Sequence, residues 1–275
     1  QFGMNYGIAN KIGQVQEREI NDILNLAKSQ NIDTIDTAKR YGSSEDNIGR
    51  YINNSNNSSW KIITKVHMED GELKSQLFDS INKLSTTPYI ILAHSASEYL
   101  DSTFREELHQ LKDNTEIKKI GVSIYSIKEI KKILSVELPD VIQCPLNIID
   151  TKLYHEGILE KIKSYNIEIH ARSIFLQGLF YLNEHEIKIK FPDIYQTMKE
   201  LHSIIQNSDL TLAELSLLWV LSLEQVDKVI LGVDSLDQLK SHINTLNKKV
   251  DHIVYKKSLS ISYDNENILN PSLWT

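Results

Sequence analysis

Asp36 and Tyr41 stand five positions apart in the stretch IDTAKRYGSSEDNIG (35–49). Lys65 follows the apolar run IIT, and His94 follows the apolar run IILA. A polar group closing a hydrophobic segment is a poor way to build a core and a good way to hold chemistry over a pocket. A free tyrosine ionises at about pH 10 and gives up its proton slowly near neutrality. A lysine ammonium beside it favours the phenolate, and a carboxylate beside the lysine keeps the ammonium charged and aimed. A neutral histidine can donate a hydrogen bond to a carbonyl oxygen. The four residues read as an acid, its tuner, the tuner's anchor and a substrate orienter. That set serves a reaction that places negative charge on a former carbonyl oxygen, as hydride addition does.

Such residues need strands that end at one rim. Short apolar segments at 32–35, 60–66, 89–93, 117–122, 141–144, 167–171 and 229–232 read as strands. Segments of helical period fill the intervals, at 17–30, 45–52, 71–84, 98–112, 127–134, 153–165, 194–205, 212–222 and 236–246. Ser43 or Ser44 is expected to cap the second of these helices and Thr211 the eighth. Residues 53–59 read as a polar loop, and the tail from 247 as irregular, with a helix near Val254. Alternation of strand and helix means parallel βαβ units. Asp36, Lys65, His94 and Ser123 each fall 29 positions after the one before, at 36, 65, 94 and 123. Seven strands are visible. Residues upstream of Gln1 are expected to supply the body of an eighth, and 1–13 reads as the loop that follows it. The expectation is one domain over 1–275, a (β/α)8 TIM barrel with its first strand truncated. A doubly wound sheet is the alternative, disfavoured because no GxGxxG follows the first visible strand.

The totals narrow the function. Hydrophobic residues make up 41% of the chain and charged residues 24%, which suits an ordinary globular core. A net charge of −7 lacks the basic footprint of a nucleic-acid binder. The single cysteine, Cys144, excludes an internal disulfide and fits a reducing compartment. No apolar run is long enough to span a membrane, and no signal-peptide pattern opens the chain. The expected location is the cytoplasm, and the expected state a monomer or weak homo-oligomer. The histidines at 67, 109, 155, 170, 185, 202 and 252 show no metal-binding spacing, so no metal is expected.

The stretches DTAKRYGSSE (36–45), ITKV (63–66), ILAH (91–94), GVSIYS (121–126), QCPLN (143–147), RSIFLQGLF (172–180) and ILGVDSLDQL (230–239) occur in that order. Together they resemble the aldo-keto reductases over nearly the whole chain. The resemblance implies Asp36, Tyr41, Lys65 and His94 as a catalytic tetrad with Tyr41 the general acid. It implies a nicotinamide cofactor, by family habit NADP, and a small-molecule carbonyl substrate, an aldehyde or ketone. A sugar-derived one is weakly preferred, because RSIFLQGLF (172–180) and the closing NPSLW (270–274) resemble bacterial members that travel with surface-sugar pathways. Ser123 and Gln143 would hold the carboxamide. Ser173 and Leu176 would line the pyrophosphate path. Gly232, Asp234, Ser235 and Gln238 would meet the adenosine ribose and its phosphate, and Gly3 and Met4 would touch cofactor or substrate.

Two positions depart from the family pattern. Ile124 stands where many members carry asparagine or arginine. Asp234 stands where a 2′-phosphate would be repelled, which opens the way to NAD unless Lys240 or His242 compensates. Taken singly, each site residue has a plainer reading. Asp36 reads as a salt-bridge member, Tyr41 as a half-buried loop aromatic, Lys65 as a snorkelling lysine and His94 as a satisfied core histidine. Ser123 and Gln143 read as barrel-end caps, Asp234 as a helix N-cap, and Arg172 as an ion-pair member or a cofactor contact. The rival function is a non-catalytic, cofactor-binding regulatory subunit. A metal-dependent barrel hydrolase is a third, disfavoured by the scattered histidines.

Overall fold

Continuous apolar runs bounded by helices pair side by side, because a strand covered on both faces has no polar face to turn outward. The computed structural model describes residues 2–55 and 59–274. Its strands are β1 (Thr34–Asp36), β2 (Lys61–Val66), β3 (Ile90–Ala93), β4 (Lys119–Ser123), β5 (Val141–Pro145), β6 (Glu168–Arg172) and β7 (Lys228–Val229). They form one sheet in chain order, and every pairing is parallel.

The sheet curls into a barrel. Gln143 Nε2, on β5, donates to Asp36 Oδ2, on β1, at 2.8 Å. Strands four places apart in a flat sheet would lie roughly 19 Å from each other at the usual spacing, far beyond that reach. Lys228 of β7 also approaches Asp33, just before β1, at 3.8 Å. The described residues thus contribute seven strands of a (β/α)8 barrel.

The 29-residue interval has a structural cause. Asp36 is level with Ile63, two residues short of Lys65, and Lys65 is level with Leu92, two residues short of His94. Ser123 is level with Gln143. Offsets of two preserve the direction of a side chain, since a strand alternates with period two. The polar residues therefore climb the tilted barrel wall while facing the same way. Beneath them Ile63, Ile90, Leu92 and Val141 form a small apolar cluster.

Outside the sheet, α1 (Glu17–Ser29) turns Ile20, Ile23, Leu24 and Ala27 inward. It packs with Leu239 of α12 (Leu236–Thr245), so the helices flanking the two ends of the sheet share one cluster. Next come α2 (Ser44–Ser55) and α3 (Leu73–Leu84). The 53–59 loop is therefore helix as far as Ser55, and 56–58 lie outside the described residues. The expected helix over 98–112 is two, α4 (Ala96–Leu100) and α5 (Ser102–Asn114), because Asp101 is extended and accepts from Phe104 N as the N-cap of the second. The helix over 153–165 is likewise broken at left-handed Gly157 into α7 (Lys152–His155) and α8 (Ile158–Ser164), after α6 (Ile127–Val136). Two elements, α9 (Glu184–Lys190) and α10 (Tyr195–Ile205), precede α11 (Leu212–Leu221), which carries the expected Thr211 cap, closed by Glu214 as a capping box. The tail forms α13 (His252–Leu259), as expected near Val254, and α14 (Glu266–Leu269).

One close approach yields a stability prediction. A Cβ on Gly49 of α2 would sit 1.8 Å from the carbonyl oxygen of Lys83 on α3. Alanine gains about 1 kcal/mol of helix propensity over glycine, but overpacking costs about 1–3 kcal/mol. Because the obstacle is backbone, the clash wins. Gly49→Ala is expected to destabilise the protein by about 1–2 kcal/mol, read as a fall of several degrees in the thermal unfolding midpoint.

Candidate active site

At the C-terminal rim, Lys65 is almost wholly buried. Its Nζ donates to Asp36 Oδ1 at 2.6 Å and to the carbonyl oxygen of Thr37 at 2.9 Å. Burial works against the ammonium. The charge of Asp36, then that of Tyr41, works for it, and the net shift of the Lys65 pKa is upward. Asp36 is held from the other side by Gln143. A lysine with two acceptors and no exposure is not snorkelling; it is a fixed cation.

Tyr41 is placed by its loop. After β1 the chain turns through Gly42 at φ +59°, a conformation that favours glycine. A Cβ there would lie 2.3 Å from the oxygen of Gly3. The N-terminal loop is clamped on this turn, where Asn47 Nδ2 donates to the Phe2 oxygen at 2.7 Å. Ser43 serves the same clamp, while Ser44 ties the start of α2 to the end of β1. Ser43 Oγ accepts from Gln14 Nε2 at 3.0 Å, and Ser44 Oγ accepts from Thr37 Oγ1 at 3.0 Å. The Tyr41 ring ends up with the Lys65 ammonium 5.1 Å from its centroid, within cation–π range. It meets the His94 ring edge-on, with centroids 6.1 Å apart.

His94 is no satisfied core histidine. Its Nδ1 is buried with no hydrogen-bond partner among the described residues. Burial, then the positive charge of Lys65, drives its pKa down to about 4, so the ring is neutral near pH 7. Behind it His67 lies 5.7 Å away, ring to ring, with its Nδ1 2.7 Å from the buried carboxylate of Glu98.

Tyr41 and His94 face a cavity of about 230 Å³ also lined by Asp36, Ser123, Gln143 and Ser173. Arg172 lies in its wall. The guanidinium forms no ion pair among the described residues; it donates to Ser173 Oγ at 3.0 Å and to the Ile124 oxygen at 2.9 Å, and it lies 4.1 Å from the Tyr125 ring centroid. Pro271 and Ser272 bring the tail over the same mouth. A second cavity of about 480 Å³ shares Ser173 and Gly232 with the first and runs on to Asp234 and Gln238. The two make one groove along the rim.

Of the residues expected to bind cofactor, Ser123, Gln143, Ser173, Gly232, Asp234 and Gln238 line this groove. Leu176 and Ser235 do not. Leu176 is buried in the main core. Ser235 is the N-cap of α12, its Oγ accepting from Gln238 N, while the backbone N–H of Asp234 donates to the Gln238 side chain at 2.7 Å. The helix-cap role thus falls to Ser235, and the Asp234 carboxyl is left for the groove. Burial raises its pKa. Neither suggested compensator pairs with it as a cation: Lys240 is drawn to Asp237 at 3.3 Å, and His242, in the wall of the same cavity, stacks on Phe175 and is held neutral by burial, its pKa down to about 4. Gly3 packs on the Tyr41 loop and lines neither cavity, and neither does Met4.

Among the residues of the groove that were not expected from sequence are Tyr6 and Gln177, which line both cavities. Burial and then the charge of Tyr41 push the Tyr6 hydroxyl up to about 12, which makes it a poor acid beside Tyr41. Gln177 belongs to a turn in which Ser173, Leu176 and Gln177 all hold positive φ, strain that collects at binding sites. The only sequence signal was the tyrosine in a glycine-rich loop. Among the described residues no three His, Cys, Asp or Glu side chains converge to hold a metal ion.

The chain matches the model of the Aldo/keto reductase family over residues 2–261. Comparison with curated proteins finds no match. Among solved structures, an aldo-keto reductase of Bacillus halodurans in its holo form is 19% identical, with 97% of this chain and 99% of that one covered, at a TM-score of 0.74. A glycerol dehydrogenase of Gluconobacter oxydans is 16% identical, with 94% of each chain covered, at 0.68. An aldo/keto reductase of Klebsiella pneumoniae, in complex with NADP and acetate, is 15% identical, with 93% and 89% covered, at 0.69. At these identities the likeness concerns the fold.

Proposed function

The chain belongs to the aldo/keto reductase family, and from that premise we propose that it reduces an aldehyde or ketone to an alcohol with a nicotinamide cofactor, Tyr41 acting as general acid. The observation that carries the reading is the buried Lys65–Asp36 pair held at 2.6 Å beneath the Tyr41 ring.

The groove suits a dinucleotide. Ser123 and Gln143 offer amide-type and hydroxyl partners at the deep end, and Gln143 keeps its carbonyl oxygen and one N–H beyond the bond to Asp36. Lys11 and Lys190 add positive charge along the second cavity. When bound, the reduced nicotinamide supplies the hydride that the carbonyl carbon accepts. His94, neutral and in the cavity wall, orients the carbonyl oxygen by a hydrogen bond. Tyr41 gives that oxygen its proton. The Lys65 ammonium stabilises the negative charge left on the phenol oxygen, and Asp36 fixes the ammonium in a site with little water, where such a charge acts strongly.

Asp234 bears on the choice of cofactor. NADP is the family habit and is held by the Klebsiella relative. An acidic side chain suits a free ribose 2′-hydroxyl and repels a 2′-phosphate. With Lys240 drawn to Asp237 and His242 held neutral, this chain is expected to bind NADH at least tenfold more tightly than NADPH. Asp234→Ser is expected to erase most of that difference. Fluorescence titration with both cofactors reads it, and a steady-state assay on a panel of aldehydes and ketones tests the reaction. Binding of a cofactor with no turnover of any carbonyl would favour the regulatory-subunit reading instead.

A further inference from the structure

The His94 ring is held without a hydrogen bond at its Nδ1, which is buried and has no partner among the described residues. A histidine that orients a ligand with one ring nitrogen is ordinarily fixed by a bond at the other, because the ring torsion by itself is broad and roughly two-fold. Two other rings bound this one instead. Tyr41 meets it edge-on at 6.1 Å and 80°, and His67 meets it at 5.7 Å and 64°.

His67 is itself pinned, at its backbone and at its ring. It follows β2, and its backbone N–H donates to Gln76 Oε1 at 3.1 Å while its carbonyl oxygen accepts from Gln76 Nε2 at 2.7 Å. Gln76 lies on α3 and is fully buried. Nδ1 of the His67 ring stands 2.7 Å from Glu98 Oε1, an electrostatic contact off the line of a good hydrogen bond. Glu98 is buried and fixed by three donors, Met68 N at 2.7 Å, Ser95 N at 2.9 Å and Ser95 Oγ at 3.0 Å. Met68 follows His67 and Ser95 follows His94, so one carboxylate ties together the two loops that carry these rings. His67 lines neither cavity of the groove. Whatever it does for a bound ligand passes through His94.

We propose that His67 is a positioning residue for His94, its ring bracing the His94 imidazole in the orientation that meets a carbonyl oxygen and standing in for the missing hydrogen bond. The proposal rests on the reductase reading for what His94 does. Of the two rings that bound His94, Tyr41 is the one that faces the ligand and takes part in the chemistry. His67 is the one whose place is set by buried hydrogen bonds on both of its flanking loops. An edge contact between aromatic rings favours one arrangement over another by about two- to tenfold, enough to select one of two flipped imidazole states.

The test compares His67→Ala with His67→Phe. Both lose the contact with Glu98. Both keep the Gln76 bonds, which are to backbone, and the three donors of Glu98, so neither leaves a buried group stranded. Only phenylalanine keeps a flat ring beside His94. His67→Ala is expected to lower kcat/KM for the best aldehyde or ketone of the panel about fivefold while cofactor affinity stays within about twofold, and His67→Phe to recover most of that loss. Nitrogen–proton NMR of histidine-labelled protein reads the brace without turnover. The His94 ring should give one sharp set of signals in wild type and in His67→Phe, and a broadened or doubled set in His67→Ala. Unchanged kcat/KM in His67→Ala, a loss that phenylalanine does not repair, or a His94 ring unmoved in His67→Ala overturns the proposal. Absence of turnover on every carbonyl by wild-type protein would count against the reductase reading, and the ring signals then decide His67 alone: exchange in His67→Ala that is quenched in His67→Phe supports the brace, and equal spectra refute it.

Discussion

Tyr41→Phe is expected to lower kcat about a thousandfold while leaving cofactor affinity within about twofold. The substitution keeps the ring, its edge contact with His94 and its place 5.1 Å from the Lys65 ammonium. It deletes only the hydroxyl. Loss of a positioned general acid costs typically 10²–10⁴ in rate. The upper half of that range applies here because Tyr6 and His94, which line the same cavity, are poor replacements for the proton donor. Tyr6 is pushed up to about 12 by burial. His94, driven to about 4 by burial and by Lys65, carries no extra proton near neutrality. Single-turnover kinetics beside a fluorescence titration separates the two quantities. A variant that turns over at even a tenth of the wild-type rate would falsify the assignment of Tyr41 as the acid.

Much of this site was legible because of how a barrel buries its strands. Strand bodies such as Ile62–Thr64 and Ile90–Ala93 face packed surroundings on both sides, so polar residues collect where the strands end. That is why Asp36, Lys65, His94 and Ser123 stood out, and why their even spacing survived as a register of even offsets, two from Asp36 to Lys65 and from Lys65 to His94 and none from His94 to Ser123. What sequence did not reveal depends on contacts distant along the chain. The bond from Gln143 to Asp36 joins residues on strands four places apart. Whether Asp234 or Ser235 capped α12 was decided by which side chain faced Gln238 N. Asp101 fits a helical pattern as well as it fits a cap, so the break between α4 and α5 was invisible. In the turn from Ser173 to Gly178 only the glycine announces a positive φ; Ser173, Leu176 and Gln177 adopt it under tertiary constraint. Strand β7 is two residues long where a longer one was expected: Ile230 N still donates to the Ala171 oxygen at 2.8 Å, but beyond it Leu231 and Gly232 line the groove.

Lys65→Met should damage folding and chemistry together, and a second substitution can pull the two apart. Methionine fills much of the lysine stem's volume but strips Asp36 of its 2.6 Å partner and leaves the Thr37 oxygen without its 2.9 Å donor. Gln143 alone then faces a carboxylate that is nearly inaccessible. Breaking a buried ion pair from one side costs about 3–5 kcal/mol, most of it the penalty of the stranded charge. The thermal midpoint of Lys65→Met should fall accordingly. Adding Asp36→Asn removes that charge, so the double variant should recover most of the lost stability, a non-additivity that a double-mutant cycle measures. Catalysis should not follow. With no ammonium beneath the ring, negative charge on the Tyr41 oxygen has nothing to stabilise it, and kcat should stay about a thousandfold down in both variants. If activity returned along with stability, Lys65 would be a structural residue only, and the cation beneath Tyr41 would have no part in the reaction.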